Sequence, residues 1–382
     1  MKKRIFLNSI VSGLLLVTSC GKDDETASVN GSTGTEVEQT VAQKTYPITI
    51  KAKKQSSISK IALGENYTLT FESTDQLVLK DADGNEYGTL DLQSGAGETT
   101  ATFSGEIKED AVGQEIIASI GIELSTVANS TVSLADAVQK YCYLVAEQTF
   151  TYSSAEEGSA IFDLTLADQN AYIAFTVADG QKKVSLKKDG DANYSWYDVN
   201  TSTHHAWLAV PGGAKYSTRF KSANLMAAKG NIYTVTVTDV IDLGLSVLWC
   251  TSNATSSETD QKTWEDAKTL ATNIEGYTLP SADNFCELTG EKTVEGVTVS
   301  KTEKWDGTGT ENGVTFSTDY GSVFFPAAVF NSGYHADYEG LYWSVESDTY
   351  GGAYFLYFYG DDAYVDSDNV RFECSVRLVR GL

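Results

Sequence analysis

The sequence predicts two folded domains in series, an all-β sandwich over residues 45–239 and an α+β domain over residues 240–382. Short runs that alternate apolar with polar residues recur from Tyr46 to about Asp239, with turn residues between them. Near Val240 the pattern changes to two capped helical segments followed by aromatic-rich strands, an order that marks an α+β domain. Ahead of residue 45 almost no large apolar side chain follows the first 19 residues, so that stretch cannot bury a core.

The chain begins with Lys2, Lys3 and Arg4, then an apolar run from Ile5 to Val17 that stops at Val17-Thr-Ser-Cys20. The run is too short to span a bilayer and ends in small residues, so residues 1–19 read as a removable export segment. Val-Thr-Ser-Cys resembles the lipobox of bacterial lipoproteins. The resemblance implies that Cys20 becomes the acylated first residue, with outer-membrane lipid as its partner. Lys22, Asp23, Asp24 and Glu25 follow at once. They resemble the acidic signal that sends Bacteroidetes lipoproteins to the outer face of the outer membrane, although carboxylates also simply keep a tether solvated. Residues 20–44 are expected to form a flexible acidic tether with a reach of roughly 25–30 Å.

The formal charge is −24, and loss of Lys2, Lys3 and Arg4 with the signal would take it to about −27. Only Arg219, Arg371, Arg377 and Arg380 remain as arginines past Arg4, and the histidines are His204, His205 and His335. Nucleic acid is therefore excluded as a partner, because duplex binding needs clustered cations to neutralise phosphates. Cys142, Cys250, Cys286 and Cys374 are too few for a disulfide framework and lack zinc-ligand spacing. Buried reduced thiols are the favoured reading, with Cys250 and Cys374 the pair to test for a bridge.

Within residues 45–239 the strand candidates include Tyr67-Thr-Leu-Thr-Phe71, Gln76-Leu-Val-Leu-Lys80, Thr99-Thr-Ala-Thr-Phe103, Ala171-Tyr-Ile-Ala-Phe-Thr-Val177 and Ile232-Tyr-Thr-Val-Thr-Val237. Two sheets with one wet face each would pack as a sandwich. Ser133-Leu-Ala-Asp136 has the form of a helix cap ahead of Ala137 to Tyr141. Asp81-Ala-Asp-Gly-Asn85 misplaces the glycine of a calcium loop and puts Leu92 where the bidentate Glu belongs, so it reads as a hairpin turn. Asp189-Gly-Asp-Ala-Asn193 is read the same way.

Phe71-Glu-Ser-Thr-Asp-Gln-Leu77, Gly88-Thr-Leu-Asp-Leu92 leading to Ala101-Thr-Phe-Ser-Gly105, and Lys229-Gly-Asn-Ile-Tyr-Thr-Val-Thr-Val237 together resemble the fimbrillin-like sandwiches of Bacteroidetes surface proteins. Polymerising members of that group resemble one another in needing a leader strand removed at an arginine. No arginine occurs between Arg4 and Arg219, which weighs against a major fimbrial subunit and leaves an anchor, tip, cap or stand-alone surface protein.

In residues 240–382, Thr263-Trp-Glu-Asp266 caps a helix to about Asn273, and Ser281 caps a second that carries Phe285 and Leu288 before Gly290. Asp242-Leu-Gly-Leu-Ser-Val-Leu-Trp249, Tyr277-Thr-Leu-Pro-Ser281, Phe324-Phe-Pro-Ala-Ala328, Tyr342-Trp-Ser344, Leu356-Tyr-Phe358 and Ser375-Val-Arg377 resemble, in order, the C-type-lectin-like paralogous domain of Fibrobacter and Bacteroidetes secreted proteins. The resemblance implies an α+β lectin-like fold, yet the Glu-Pro-Asn and Gln-Pro-Asp tripeptides of calcium-dependent sugar sites do not occur.

Sugar stacking is therefore expected from aromatic side chains in or beside Gly/Asp-rich loops: Trp305, Tyr334, Tyr338, Tyr350 and Tyr359. Ala353 to Tyr359 is apolar on both faces and is expected to be a buried central strand. Asp361, Asp362, Asp366 and Asp368 could offer oxygen ligands to Ca²⁺, but a solvated acidic hairpin is the preferred reading, and no cofactor is expected. No Gly-x-Ser-x-Gly elbow, His-Glu-x-x-His or phosphate-binding Gly-Lys-Ser/Thr loop is present. The expected function is that of a non-catalytic surface lipoprotein, an adhesin or glycan-binding accessory with a glycan or surface protein as ligand. The alternative is an anchor, tip or cap component of a fimbria-like polymer, with fimbrial subunits as partners.

Overall fold

The computed structural model describes residues 43–55, 59–60, 69–153, 160–255, 260–306, 311–327, 338–360 and 362–382, with 59–60 and 221–223 described by backbone alone. Gln43–Leu382 is one compact unit. Its described residues are mostly strand, with three short α-helices among them. No helix among the described residues is long and apolar enough to cross a membrane.

Thr45–Lys54 shows why the first half closes on itself. From Ile48 onward its residues alternate between core and surface, with Ile48, Ile50 and Ala52 inward and Lys51 and Lys53 outward. The strands Gln76–Lys80, Glu86–Ser94, Thr100–Lys108, Thr45–Lys54, Ala160–Asp168, Leu144–Ala146 and Glu115–Ile120 pair in that order, and the last returns to the first through Val78↔Ser119. The result is a seven-stranded barrel, a closure that removes free sheet edges. Helix α1 (Leu134–Tyr141) sends Leu134 and Val138 into the barrel core. It starts where expected, at Ser133, whose hydroxyl accepts the Asp136 N–H at 3.0 Å.

The strand expected at 67–71 does not form over its described part. Phe71 makes one isolated bridge, to Ala96, and residues 67 and 68 lie outside the described residues. Phe71 is held there by burial and by Lys54, whose ammonium sits 4.4 Å from the ring centroid. The hairpin reading of Asp81 to Asn85 holds. Asp81 accepts the N–H groups of Asp83 and Asn85 and the Tyr87 hydroxyl, and these bonds, that from the Asn85 side chain foremost, lower its pKa.

Ala160–Asp168 leads straight into Asn170–Val177, the centre of a second layer. That strand pairs with Asn231–Val237 in parallel and with His205–Pro211 antiparallel; Ser59–Lys60 and Ala128–Ser130 complete a five-stranded sheet. Tyr172, Ala174, Ala209 and Ile232 face the barrel core. On the opposite side Ile173, Phe175, Leu208 and Val235 meet Val184, Leu186 and Tyr216 of a four-stranded sheet, Ser195–Asp198, Lys183–Lys188, Ala214–Thr218 and Lys221–Ala227. A sheet covered on both faces needs apolar residues at successive positions. Residues 45–239 are thus β-rich as expected, arranged as a barrel and a sandwich that share one central sheet, where a single sandwich was anticipated.

Past residue 240 come three three-stranded sheets: Val240–Asp242, Val247–Asn253 and Arg377–Gly381; Ser300–Lys304, Gly313–Ser317 and Ser322–Pro326; and Glu339–Ser347, Gly352–Tyr359 and Asp362–Asn369. Helix α2 (Trp264–Thr272) is capped by Thr263, and α3 (Ala282–Thr289) by a reciprocal Ser281–Asn284 capping box, ending on left-handed Gly290 at φ 84°.

The junction between these regions is dense. Gln181 is buried; its amide donates to the carbonyls of Lys183, Asp242 and Tyr320 while its carbonyl accepts the Asp242 N–H. Arg219 donates to the fully buried Asp242 carboxylate at 2.8 Å. All four cysteines past residue 42 are free; Cys374 is buried, as expected, whereas Cys142, Cys250 and Cys286 are only partly covered. Burial pushes Cys142 and Cys250 up to about 12 and raises Cys374 and Cys286, which keeps the thiolate fraction low.

Candidate functional site

The sheet Glu339–Ser347, Gly352–Tyr359 and Asp362–Asn369 lies between the two helices. Phe285 and Leu288 of α3 pack with Tyr342, Leu356 and Phe358 on one face. Ala267 and Ala271 of α2 pack with Leu341, Trp343 and Phe355 on the other.

The register arranges the α2-side face in cross-strand rows. Glu339, Tyr359 and Asp362 form the outermost row, then Leu341, Tyr357 and Tyr364, then Trp343, Phe355 and Asp366; Ala353 and Asp368 belong to the last. Residues opposite one another place their Cβ atoms about 4.5–5.5 Å apart, so each row acts as one contact set. A groove of about 300 Å³ runs over this face, lined by Glu339, Leu341, Phe355, Tyr357, Tyr364, Asp366, Asp368 and Phe372. The Tyr357 and Tyr364 rings are 5.3 Å apart at 57°, two tilted walls. Burial, and after it the Glu339 carboxylate, pushes the Tyr357 phenol up to about 12, so it remains a hydrogen-bond donor at neutral pH.

The anticipated aromatics are only partly gathered here. Tyr359 is in the outermost row and 44% exposed. Trp305 and Tyr338 make a second set on the far side of the same sheet end: their rings are 5.8 Å apart, Trp305 lies 6.4 Å from Phe358, and its indole N–H donates to Glu303 at 3.2 Å. Tyr338 is 49% exposed. Tyr350, 96% exposed, is at the opposite end of the strand, in the turn that Asp348 closes by accepting the Tyr350 and Gly352 N–H groups. Cys20, Lys22, Asp23, Asp24, Glu25, Tyr334 and Asp361 lie outside the described residues.

Asp362, Asp366 and Asp368 do sit on a hairpin strand, all on the groove side. Among the described residues no three His, Cys, Asp or Glu side chains gather as a metal site. Tyr357, Tyr364, Phe355, Phe372 and Glu339 were not among the anticipated binding residues. The available signal was period-two alternation in Asp362-Ala-Tyr-Val-Asp-Ser-Asp368, which puts one tyrosine and three aspartates on one face.

Gly340 sets how tightly that sheet end closes. A Cβ there would meet the Phe358 ring at 2.0 Å, so Gly340→Ala is expected to destabilise the chain by about 1–3 kcal/mol through overpacking. Urea denaturation would measure this, and an unchanged midpoint would contradict the packing.

A larger groove, about 600 Å³, lies outside the barrel, but its walls are Lys51, Lys53, Asp163 and threonines, without an aromatic platform.

No family model matches the chain, and no curated protein does. Among solved structures it is similar to a fimbrial assembly protein from Parabacteroides distasonis, at 9% identity and TM-score 0.28, over 55% of this chain and 97% of that one. It is similar to a fimbrial protein from Bacteroides ovatus, at 9% identity and TM-score 0.23, over 89% of this chain and 100% of the other. The fimbrial anchor protein Mfa2 from Porphyromonas gingivalis is a third, at 11% identity and TM-score 0.25, over 47% and 76%. Values of that size leave the function to be argued from the residues themselves.

Proposed function

We propose that the protein is a non-catalytic cell-surface lipoprotein, tethered through acylated Cys20, that works as an adhesin by binding a glycan on the Glu339–Asn369 sheet. The observation that carries this reading is the groove in which Tyr357 and Tyr364 stand as paired walls with carboxylates on both sides. Tyrosine rings bury a sugar's apolar face, while carboxylates accept its hydroxyls. A lectin-like α+β fold for residues 240–382 agrees with a sheet held between two capped helices.

A glycan array probed with the detergent-purified full-length chain tests this. Tyr357→Ala and Tyr364→Ala should each weaken binding by about 1–2 kcal/mol, a five- to thirtyfold loss, without changing the far-ultraviolet spectrum. A chain that binds no glycan, or whose binding ignores both substitutions, would refute the assignment.

The second reading, an anchor, tip or cap of a fimbria-like polymer, draws on a different place. An apolar groove of about 180 Å³, lined by Ile173, Phe175, Leu186, Tyr216, Leu225 and Val235, opens between the two sheets beside the edge strand Lys221–Ala227. Co-purification of a polymer lost on Val235→Asp would favour it.

A further inference from the structure

Charge distinguishes the groove from an ordinary sugar platform. Its lining holds Glu339, Asp366 and Asp368, with Asp362 on the same face one row outward, and none of the lining residues is basic. Asp366 and Asp368 each accept the N–H of the next residue. Among the described residues no ion pair engages Asp362, Asp366 or Asp368. Arg371, adjacent in sequence to Phe372, makes none with them. The chain as a whole carries −24. A ligand entering this groove therefore meets a negative potential focused by apolar walls.

Resting on the glycan reading above, we propose that the groove selects an amino-bearing saccharide, one whose ring carries a protonated amine, and rejects uronic, sulfated and sialylated glycans. Complementary charge is the argument for that occupant. The sugar ring lies against Tyr357 and Tyr364, where a neighbouring cation also gains from the ring quadrupoles. Its ammonium then reaches the carboxylates of Asp366 and Asp368, which alternate along one strand about 6.8 Å apart. A neutral sugar would offer these carboxylates hydroxyl donors alone, without the charge-assisted gain of an ammonium. An anionic one would face uncompensated repulsion.

The test uses detergent-purified full-length protein and three short oligosaccharides of equal length: a free glucosamine oligomer, its fully N-acetylated counterpart and a neutral glucose oligomer. Binding is followed by calorimetry at mildly acidic pH and at two salt concentrations. The free amine should bind at least tenfold more tightly than the other two, with a preference that shrinks as salt rises. Asp366→Asn with Asp368→Asn should abolish that preference, whereas Asp189→Asn with Asp191→Asn, which removes the same charge from a distant turn, should retain it. Equal affinity for all three sugars would overturn the cation selectivity and leave the glycan site standing. A preference that both double variants reduce alike would show bulk charge at work and overturn the selectivity too. Binding of none of the three would overturn the amino-sugar selectivity, and the glycan array would then decide the glycan reading separately.

Discussion

Arg219→Ala is expected to destabilise the protein by about 3–5 kcal/mol at neutral pH, because it strands a fully buried carboxylate. Asp242 has no exposed surface in its side chain and its Arg219 partner is only 13% exposed, at 2.8 Å. Burial raises the Asp242 pKa more than Arg219, at work through charge and hydrogen bonding, pulls it down. A carboxyl with a raised native pKa contributes its stability below the unfolded pKa and loses it as pH rises through the native one. Without Arg219 the native pKa would climb further. The penalty should therefore be greatest at neutral pH and shrink towards acid, where a protonated Asp242 needs no cation. Urea unfolding across pH checks both points. Arg219→Met combined with Asp242→Leu should recover much of the loss, since it leaves no buried charge. A pH-independent loss, or a double variant as unstable as the single, would refute the account.

That junction explains what the sequence could not announce. The change of pattern near Val240 is visible in the chain, but nothing in Gln181 or Arg219 as letters says that they meet Asp242 and Tyr320 across the boundary. Such contacts depend on side chains 23 to 139 residues apart. Lys54 is a similar case. Alternation from Ile48 places it inward, where it is 1% exposed, donates to the Thr70 carbonyl at 2.7 Å and lies 3.6 Å from Asp75. Local rules read best where the signal is local: the caps at Ser133, Thr263 and Ser281 start helices as their chemistry dictates. Barrel closure, by contrast, hangs on Val78↔Ser119, a pairing that alternation permits and cannot specify.

The binding face shows the same division. Apolar character on both faces of Ala353 to Tyr359 correctly implied a covered strand, because Leu356 and Phe358 meet α3 while Phe355 meets α2. It also hid Tyr357. Helix α2 packs with Leu341, Trp343 and Phe355, whereas Tyr357, in the same row as Leu341, is only partly covered and Tyr364 beyond it is 38% exposed. Coverage that stops partway across a sheet is a tertiary fact. Exposed loop aromatics were the more visible feature in the sequence, and of the described ones only Tyr359 shares the groove's face.

If α2 and Trp343 set where the groove begins, Trp343→Ala should cost about 3–5 kcal/mol and disable binding together with stability. Trp343 is fully buried, its indole N–H donates to the Lys262 carbonyl at 2.8 Å, and its ring meets Phe355 edge-on at 5.9 Å. In return, Trp264 of α2 donates to the Ser344 carbonyl at 2.8 Å, so two indoles fasten the strand to α2 and to Lys262 just ahead of it. Truncation forfeits the transfer energy of the ring and leaves a cavity beneath Phe355. Phe355 then has room to tilt, and the Tyr357–Tyr364 pair in the next row loses its support. Trp343→Phe keeps most of the volume and gives up one hydrogen bond, worth about 1 kcal/mol, so it should stay folded with binding close to that of the parent. Urea unfolding and glycan titration on both variants separate the effects. A Trp343→Ala protein that binds normally below its unfolding transition would show that the tyrosine walls stand without α2, and that the groove is shaped by the three strands alone.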